Sequence, residues 1–407
     1  MKGKKVTLLR QDFPFLQKKK GEKKPVYFDN ACQSLRPEPV IQAINEYYRD
    51  YPGCAGRSAH RIGEEVSRAV AAARKKIARF LRVQHEEEII FTRNTTEGIN
   101  LVAQSWPWQE GDRVLISDKE HNSNLLPWLR LQKQKIIQLD VVPSTEDNQL
   151  DLNRWEEVLR QKKVRLISVG FTSNLDGVTI PAAELIKLAH DYGALVLLDG
   201  AQTVPHQQLN LAKLGVDFLA FSGHKMLGPS GTGVLYARRE LLEQMNPFLL
   251  GGETVARSTY QDYTLLPPPE KFEAGLQNYA GIIGLGAAVE YLEKVGFDFI
   301  QKQEEELNSF LTAQLQQIPQ LQIIGPADPR QRGGIISFYL PQISASQLAL
   351  ILDSSHWIMV RAGQHCVHSW FAARKIPATL RISLYFYNTR EEAEIFLQAL
   401  QQTLKIL

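Results

Sequence analysis

Between residue 62 and about residue 240 the chain alternates two hydrophobic rhythms. "IGEEVSRAVAAARKKIARFL" places Ile62, Val66, Val70, Ala73, Ile77 and Phe80 on one face at helical spacing. Short apolar runs follow and predict strands: "EIIFTR" (88–93), "RVLIS" (113–117), "IIQLDVV" (136–142), "VRLISVG" (164–170), "ALVLLDG" (194–200), "DFLAFSG" (217–223) and "TGVLYAR" (232–238). Amphipathic segments such as "DLNRWEEVLRQ" and "PAAELIKLAHDYG" separate several of them. The second has Pro181 at its start and Gly193 past its end, which is helix punctuation. Runs that are apolar throughout, not alternating, belong to strands covered on both faces. The fold class they predict is α/β, a mostly parallel sheet sandwiched by helices.

"LLPPPEKFEAG" (265–275) reads as a loop between lobes. A helical stretch follows through residue 318, then "GGIISFYL" and "TLRISLYFYN" as strands and a last helix. The expected division is a large domain over 46–285 and a smaller α+β lobe made of 1–45 plus 286–407.

Composition adds bounds. At 407 residues, 44% hydrophobic and 22% charged, the chain suits a globular protein of two lobes. No apolar run approaches the ~18 residues of a membrane span, and the N-terminus lacks an apolar signal core. Cys32, Cys54 and Cys366 are odd in number and far apart, which argues against a disulfide framework and for a cytoplasmic setting. Residues 1–24 hold nine Lys/Arg against Asp12 and Glu22, a net of +7, so the rest of this +3 chain sums to −4. That basic head reads as a solvated, partly mobile terminus; neither nucleic acid nor membrane is an expected partner.

An open parallel sheet offers its sites at the carboxyl ends of its strands, and polar residues gather there. "FTRNTTEGIN" sets Thr95 and Thr96 at a helix start, where amides and hydroxyls suit a phosphate, although such threonines also cap helices. Asp199 ends a buried run, where a carboxylate calls for a cationic partner or a cap to satisfy. His121 and Asn174 follow two other strands. "FSGHKMLGPSG" (221–231) puts Lys225 at the mouth of a buried strand, and its glycines fit neither the dinucleotide fingerprint nor a P-loop. One cofactor employs all of these together. Pyridoxal phosphate needs a Schiff-base lysine, a carboxylate for its ring nitrogen and a phosphate cup.

"YFDNA", "TTEGIN", "EHNSNLLPW", "SNLDG", "DGAQ", "SGHK" and "KFEAG" occur in the order found in class V pyridoxal-phosphate enzymes, a fold-type I family, and "RAGQHC" with "LRISLYFYN" extends the resemblance to cysteine desulfurases of the Suf type. The resemblance makes Lys225 the lysine that carries the cofactor and Asp199 the partner of the ring nitrogen. It has His121 stack on the ring and handle protons, and places Asn174 and Gln202 on the ring-oxygen side. Thr95, Thr96, Ser222 and His224 become phosphate ligands, Arg381 the clamp on the substrate carboxylate, Arg361 a residue of the site's mouth and Asn30 a further substrate contact. Cys366 becomes the nucleophile that takes sulfur. By itself that cysteine reads as a small buried hydrophobe; a metal set of His365, Cys366 and His368 lacks a second cluster. Two positions differ from the family pattern: "VHSWF" after Cys366, and Tyr279 where the family has Thr or Ser.

The resemblance therefore implies a homodimeric enzyme that converts L-cysteine to L-alanine, carries sulfur as a persulfide on Cys366 and passes it to an acceptor protein for iron–sulfur cluster assembly or other sulfur transfer. Within the same cofactor chemistry the alternatives are selenocysteine lyase, cysteine sulfinate desulfinase and a class V aminotransferase. Outside it stands a non-catalytic sulfur-carrier scaffold or a nucleic-acid binder using the basic head.

Overall fold

The computed structural model describes residues 2–56 and 58–406. The chain opens with α1 (Lys2–Arg10), β1 (Val26–Tyr27), α2 (Glu38–Asp50) and α3 (Arg61–Leu81). Strands and helices then alternate: β2 (Ile89–Thr92), α4 (Thr95–Ser105), β3 (Arg113–Ser117), α5 (Leu126–Lys133), β4 (Gln138–Val142), α6 (Leu152–Gln161), β5 (Leu166–Gly170), α7 (Ala182–Asp191), β6 (Leu195–Asp199), α8 (Leu211–Leu214), β7 (Phe218–Ser222), β8 (Gly233–Ala237) and α9 (Arg239–Gln244). A hairpin of β9 (Val255–Ser258) and β10 (Tyr263–Leu265) leads to α10 (Tyr279–Val295) and α11 (Phe297–Leu315). The remainder is β11 (Gln322–Ile323), β12 (Ile335–Tyr339), α12 (Ala345–His356), β13 (Ile358–Met359), β14 (Arg361–Gly363), α13 (His368–Arg374), β15 (Thr379–Ser383) and α14 (Arg390–Leu404).

The seven apolar runs form one sheet in the order β2-β8-β7-β6-β5-β3-β4. Every neighbouring pair among β4, β3, β5, β6 and β7 is parallel, while β8 runs antiparallel to both β7 and β2. β7 and β8 are buried along their whole length. β4 lies at an edge and is largely open to solvent, which is why its run carries Gln138 and Asp140. Helices cover both faces: α4 and α5 pack Ile99, Val102 and Trp128 on one side, and α6, α7 and α10 pack Trp155, Leu185 and Leu285 on the other. In α3 the apolar stripe is buried at Val66, Ala73, Ile77 and Phe80, but Ile62 at its start is exposed.

A second, antiparallel sheet of order β11-β12-β15-β14 packs on α11, α12 and α14 through Leu311, Leu352, Phe396 and Leu400. β1 pairs with β13, so the N-terminal segment joins this unit. The boundaries expected at 45/46 and 285/286 both fall inside helices, α2 and α10. These helices pack on each other, and α10 also packs on α3. α10 is buried along most of its length, and α2 meets it through the buried Val40 and the partly buried Ile44.

Two further expectations need correction. The basic head is not a loose terminus. Val6, Phe13 and Leu16 are buried, Lys5 Nζ donates to the Val295 carbonyl at 2.9 Å, and Arg10 pairs with Glu392 at 2.8 Å. The Lys/Arg count hid the apolar residues spaced among the charges. The "LLPPPEKFEAG" segment is not a free link between lobes either. Glu273 takes two hydrogen bonds from Arg74, at 2.9 and 2.8 Å, and one from the Phe91 amide at 2.8 Å, which pins it to α3 and β2. No helix among the described residues is long and apolar enough to cross a membrane.

Candidate active site

A cavity of about 310 Å³ opens at the carboxyl ends of β3, β5, β6 and β7 and is closed on the far side by the small sheet. Asp199 is the last residue of β6, and its carboxylate accepts the Ala201 amide at 3.0 Å. Lys225 sits in the single turn Gly223–Lys225 that follows β7. That turn requires a glycine, because a Cβ on Gly223 would lie 2.5 Å from Thr232 Oγ1. β6 and β7 are parallel neighbours, so the acid and the amine emerge side by side.

The N-terminus of α4 forms another wall. Asn94 caps the helix by accepting the Glu97 amide at 2.9 Å. Thr95, the first helical residue, donates its amide to Ser222 Oγ at 2.8 Å, and the two hydroxyls lie 2.6 Å apart. Thr96 Oγ1 and Ser123 Oγ lie 2.7 Å apart. Gly233 makes this approach feasible, since a Cβ there would stand 2.6 Å from Asn94 Cα. Hydroxyls gathered at the start of a helix suit a phosphate.

Charge and burial set the protonation states. Burial lowers Lys225, with Asp199 opposing and Arg381 adding to the shift. Burial raises Asp199 against the pull of Lys225. Burial, then Lys225 and Arg381, push His121 down to about 3; burial, then Lys225 and Arg36, push His224 down to about 4. Both imidazoles are neutral near pH 7. His121 Nδ1 accepts the Ser123 amide at 3.1 Å, so its proton resides on Nε2.

The small sheet supplies two arginines. In the β14–β15 register Arg361 stands opposite Arg381. Arg361 grips Asp29 through Nε at 3.3 Å and through a terminal nitrogen at 2.7 Å, and that same nitrogen donates to Cys32 Sγ at 2.6 Å. Arg381 is buried, donates to the Asn174 carbonyl at 2.9 Å and leaves its Nε without a partner. Burial lowers its pKa despite Asp29. A buried guanidinium that lines the cavity and lies 3.7 Å from its nearest acid suits a carboxylate.

Cys366 is exposed on the loop between β14 and α13. His365 and Cys366 hold left-handed φ values of 49° and 60°, at roughly 1–2 kcal/mol each for L residues. What holds them is a set of cross-lobe bonds. The Asn122 amide donates to the Cys366 carbonyl and the Asn174 side chain to the His365 carbonyl, both at 2.7 Å. His365 Nε2 meets Thr379 Oγ1 at 2.7 Å, and burial followed by Arg381 and Arg361 keeps its ring neutral. The unusual "VHSWF" segment is the start of α13, with Val367, Trp370 and Phe371 buried against Leu175. Tyr279 begins α10 and is buried.

Twelve expected residues therefore line one cavity: Thr95, Thr96, His121, Asn174, Asp199, Gln202, Ser222, His224, Lys225, Arg361, Cys366 and Arg381. Asn30 does not line it. Its amide donates to the Ser383 carbonyl at 2.7 Å and to Asn388 Oδ1 at 3.1 Å, and its oxygen accepts from Tyr387, so it ties the N-terminal segment to the strand end after β15. The sequence reading missed Asp29, Cys32 and Glu120. Asp29 stands in "YFDNA" and Glu120 precedes His121, so proximity to the motifs was the available signal. Glu120 accepts the Gly170 amide at 2.9 Å and the Asn124 amide nitrogen at 2.6 Å, and burial pushes it up to about 7.

The residues fit pyridoxal phosphate on their own chemistry. Asp199 is a buried carboxylate with a single hydrogen bond among the described residues, open to a protonated ring nitrogen, and Lys225 and the α4 hydroxyls share its cavity. Fold and cavity define a pyridoxal-phosphate-dependent enzyme. The chain belongs to the aminotransferase class-V family, whose model matches residues 26–396. A "probable cysteine desulfurase" of Halobacterium salinarum is 38% identical over 405 residues, which cover 98% of this chain and 97% of the relative. One of Pyrococcus abyssi is 39% identical over 402 residues, 98% of each chain. Among solved structures, the apo cysteine desulfurase of Thermococcus onnurineus superposes with a TM-score of 0.93 at 37% identity, covering 98% of both chains. The cysteine desulfurase CsdA of Escherichia coli gives 0.90 at 32%, covering 99% of both.

Proposed function

We propose that this chain is a cysteine desulfurase that converts L-cysteine to L-alanine and carries the sulfur as a persulfide on Cys366. The observation that carries the reading is that Lys225, Asp199, Arg381 and Cys366 line a single cavity. When bound, pyridoxal phosphate supplies an electron sink for charge developed at the substrate's Cα. Asp199 would pair with its ring nitrogen, Thr95, Thr96, Ser222 and His224 would hold its phosphate, Asn174 and Gln202 would face its ring oxygen, and the neutral His121 ring would cover it.

The chain's own residues do the rest. Arg381, which lines the cavity, orients the substrate carboxylate. The Lys225 amine, lowered by burial, takes and returns the proton at Cα. His121 Nε2–H is placed to donate within the cavity. Cys366 Sγ bonds to the substrate sulfur as the sulfur–Cβ bond breaks; the electron pair stays with the carbon skeleton, a proton is added there, and alanine departs. The exposed position of that loop suits delivery of sulfur to a thiol on an acceptor protein, for iron–sulfur assembly or another sulfur-transfer route in the cytoplasm. A homodimer is proposed on the exposed Leu249, Leu250 and Leu276, and the cavity lies between a large cofactor-holding unit and the small antiparallel lobe.

The test is incubation of the pyridoxal-phosphate-loaded protein with L-cysteine, followed by alanine quantitation and mass measurement of the peptide bearing Cys366. Alanine and a peptide heavier by one sulfur are expected. Cys366→Ala is expected to keep the cofactor's visible band and lose nearly all persulfide and sulfide. A cofactor-loaded wild type that yields no alanine, or undiminished turnover in the variant, overturns the reading.

A further inference from the structure

Cys366 is not the lone thiol of its cavity. Cys32 lines the same space, is partly exposed, and stands on a firmly held support. The Ala31 amide donates to Ser383 Oγ at 2.8 Å, the Gln202 side chain donates to the Ala31 carbonyl at 2.7 Å, and the Cys32 amide donates to the Asp29 carbonyl at 3.1 Å. Its sulfur accepts from Arg361 at 2.6 Å. Lys225 and Arg381 line the same cavity as both sulfurs. The two thiols thus share one set of cations, one fixed and inside, the other on a loop at the mouth. The third cysteine, Cys54, is exposed and lines no part of this cavity.

We propose that Cys32 is a second sulfur-carrying thiol, which accepts the outer sulfur of the Cys366 persulfide inside the cavity; the proposal rests on the desulfurase reading. Cys32 Sγ attacks the outer sulfur, a new S–S bond forms on Cys32, and the Cys366 S–S bond breaks with its electron pair returning to Cys366 Sγ. The proton lost by Cys32 ends on Cys366. One persulfide and one thiol give one thiol and one persulfide, so neither oxidant nor reductant is consumed. Either anionic persulfide lies among Arg361, Arg381 and Lys225, which attract sulfur bearing negative charge. The exchange frees Cys366 for a second substrate while the first sulfur waits on the anchored Cys32.

The experiment uses the pyridoxal-phosphate-loaded enzyme with a few equivalents of L-cysteine and no acceptor or added thiol. The reaction is quenched with an alkylating reagent, and alanine and persulfidated peptides are counted. Wild type is expected to show persulfide on both the Cys32 and the Cys366 peptides and a burst of about two alanines per site. Cys32→Ala is expected to carry persulfide on Cys366 alone and to halve the burst, with the cofactor band intact; Cys366→Ala should leave the Cys32 peptide unmodified. Wild-type persulfide confined to Cys366, a burst that Cys32→Ala does not change, or modification of Cys54 equal to that of Cys32 overturns the relay while leaving the desulfurase reading standing. No alanine at all overturns both.

Discussion

Arg361 and Arg381 face each other directly across the β14–β15 ladder, two like charges at a position where like charges repel. Asp29 resolves the conflict unequally. It takes two bonds from Arg361, at 2.7 and 3.3 Å, and lies 3.7 Å from the nearer nitrogen of Arg381. Arg361 is thereby matched, while Arg381, deeper and less neutralised, retains an appetite for a second carboxylate.

Arg381→Lys tests this. A lysine keeps the charge but loses the planar fork. kcat/KM for L-cysteine is expected to fall about 10- to 100-fold, the worth of one charge-assisted bond in a buried site, chiefly through KM. Steady-state kinetics on the cofactor-loaded variant check it, and the visible band should not move.

Asp199→Asn removes the charge proposed to face the cofactor's ring nitrogen and keeps the shape. Turnover is expected to drop roughly 10²- to 10³-fold, as when one electrostatic stabiliser is lost, with the cofactor still bound. Single-turnover alanine formation beside an absorbance spectrum separates the two effects.

Glu120 gives a pH signature. Burial raises its pKa from the ordinary 4.5 to about 7, so between those values the folded protein binds more protons than the unfolded chain. Its contribution is complete below pH 4.5, falls as pH rises through that window and levels off above about 7, an effect of about 3 kcal/mol. Glu120→Gln can accept from Asn124 and Gly170 with its oxygen and donate to Ser117 with its nitrogen. Urea denaturation across pH 4.5–8 is expected to show this slope flattened in the variant and the variant more stable than wild type at pH 8.

Arg10→Ala tests the docked head. Arg10 donates to the Tyr387 carbonyl at 2.6 Å and pairs with the buried Glu392 at 2.8 Å. Its loss is expected to cost about 1–3 kcal/mol, read as a lower urea midpoint at unchanged m.

Much of this was legible along the chain. All seven strands of the large sheet appear within a few residues of their apolar runs, because strands buried on both faces need unbroken hydrophobicity. Lys225, Asp199 and the Thr95–Thr96 pair were legible because sheet topology sends strand ends to one edge. Asn30 was misplaced for the opposite reason: it stands beside site residues in sequence, but its polar atoms are consumed by Tyr387, Ser383 and Asn388. The docking of the head does not show in its charge, because Val6, Phe13 and Leu16, which are buried, are spaced among the lysines.

Local pattern was enough for the strands, the helices between them and the residue types that one cofactor would need, since period and spacing are properties of neighbours along the chain. Packing between lobes alone decided that Arg361 meets Arg381, that Asp29 stands between them, and that Cys32 shares a cavity with Cys366. These residues are up to 352 positions apart, and only the register of β14 on β15 and the docking of the N-terminal segment beside them bring their side chains together.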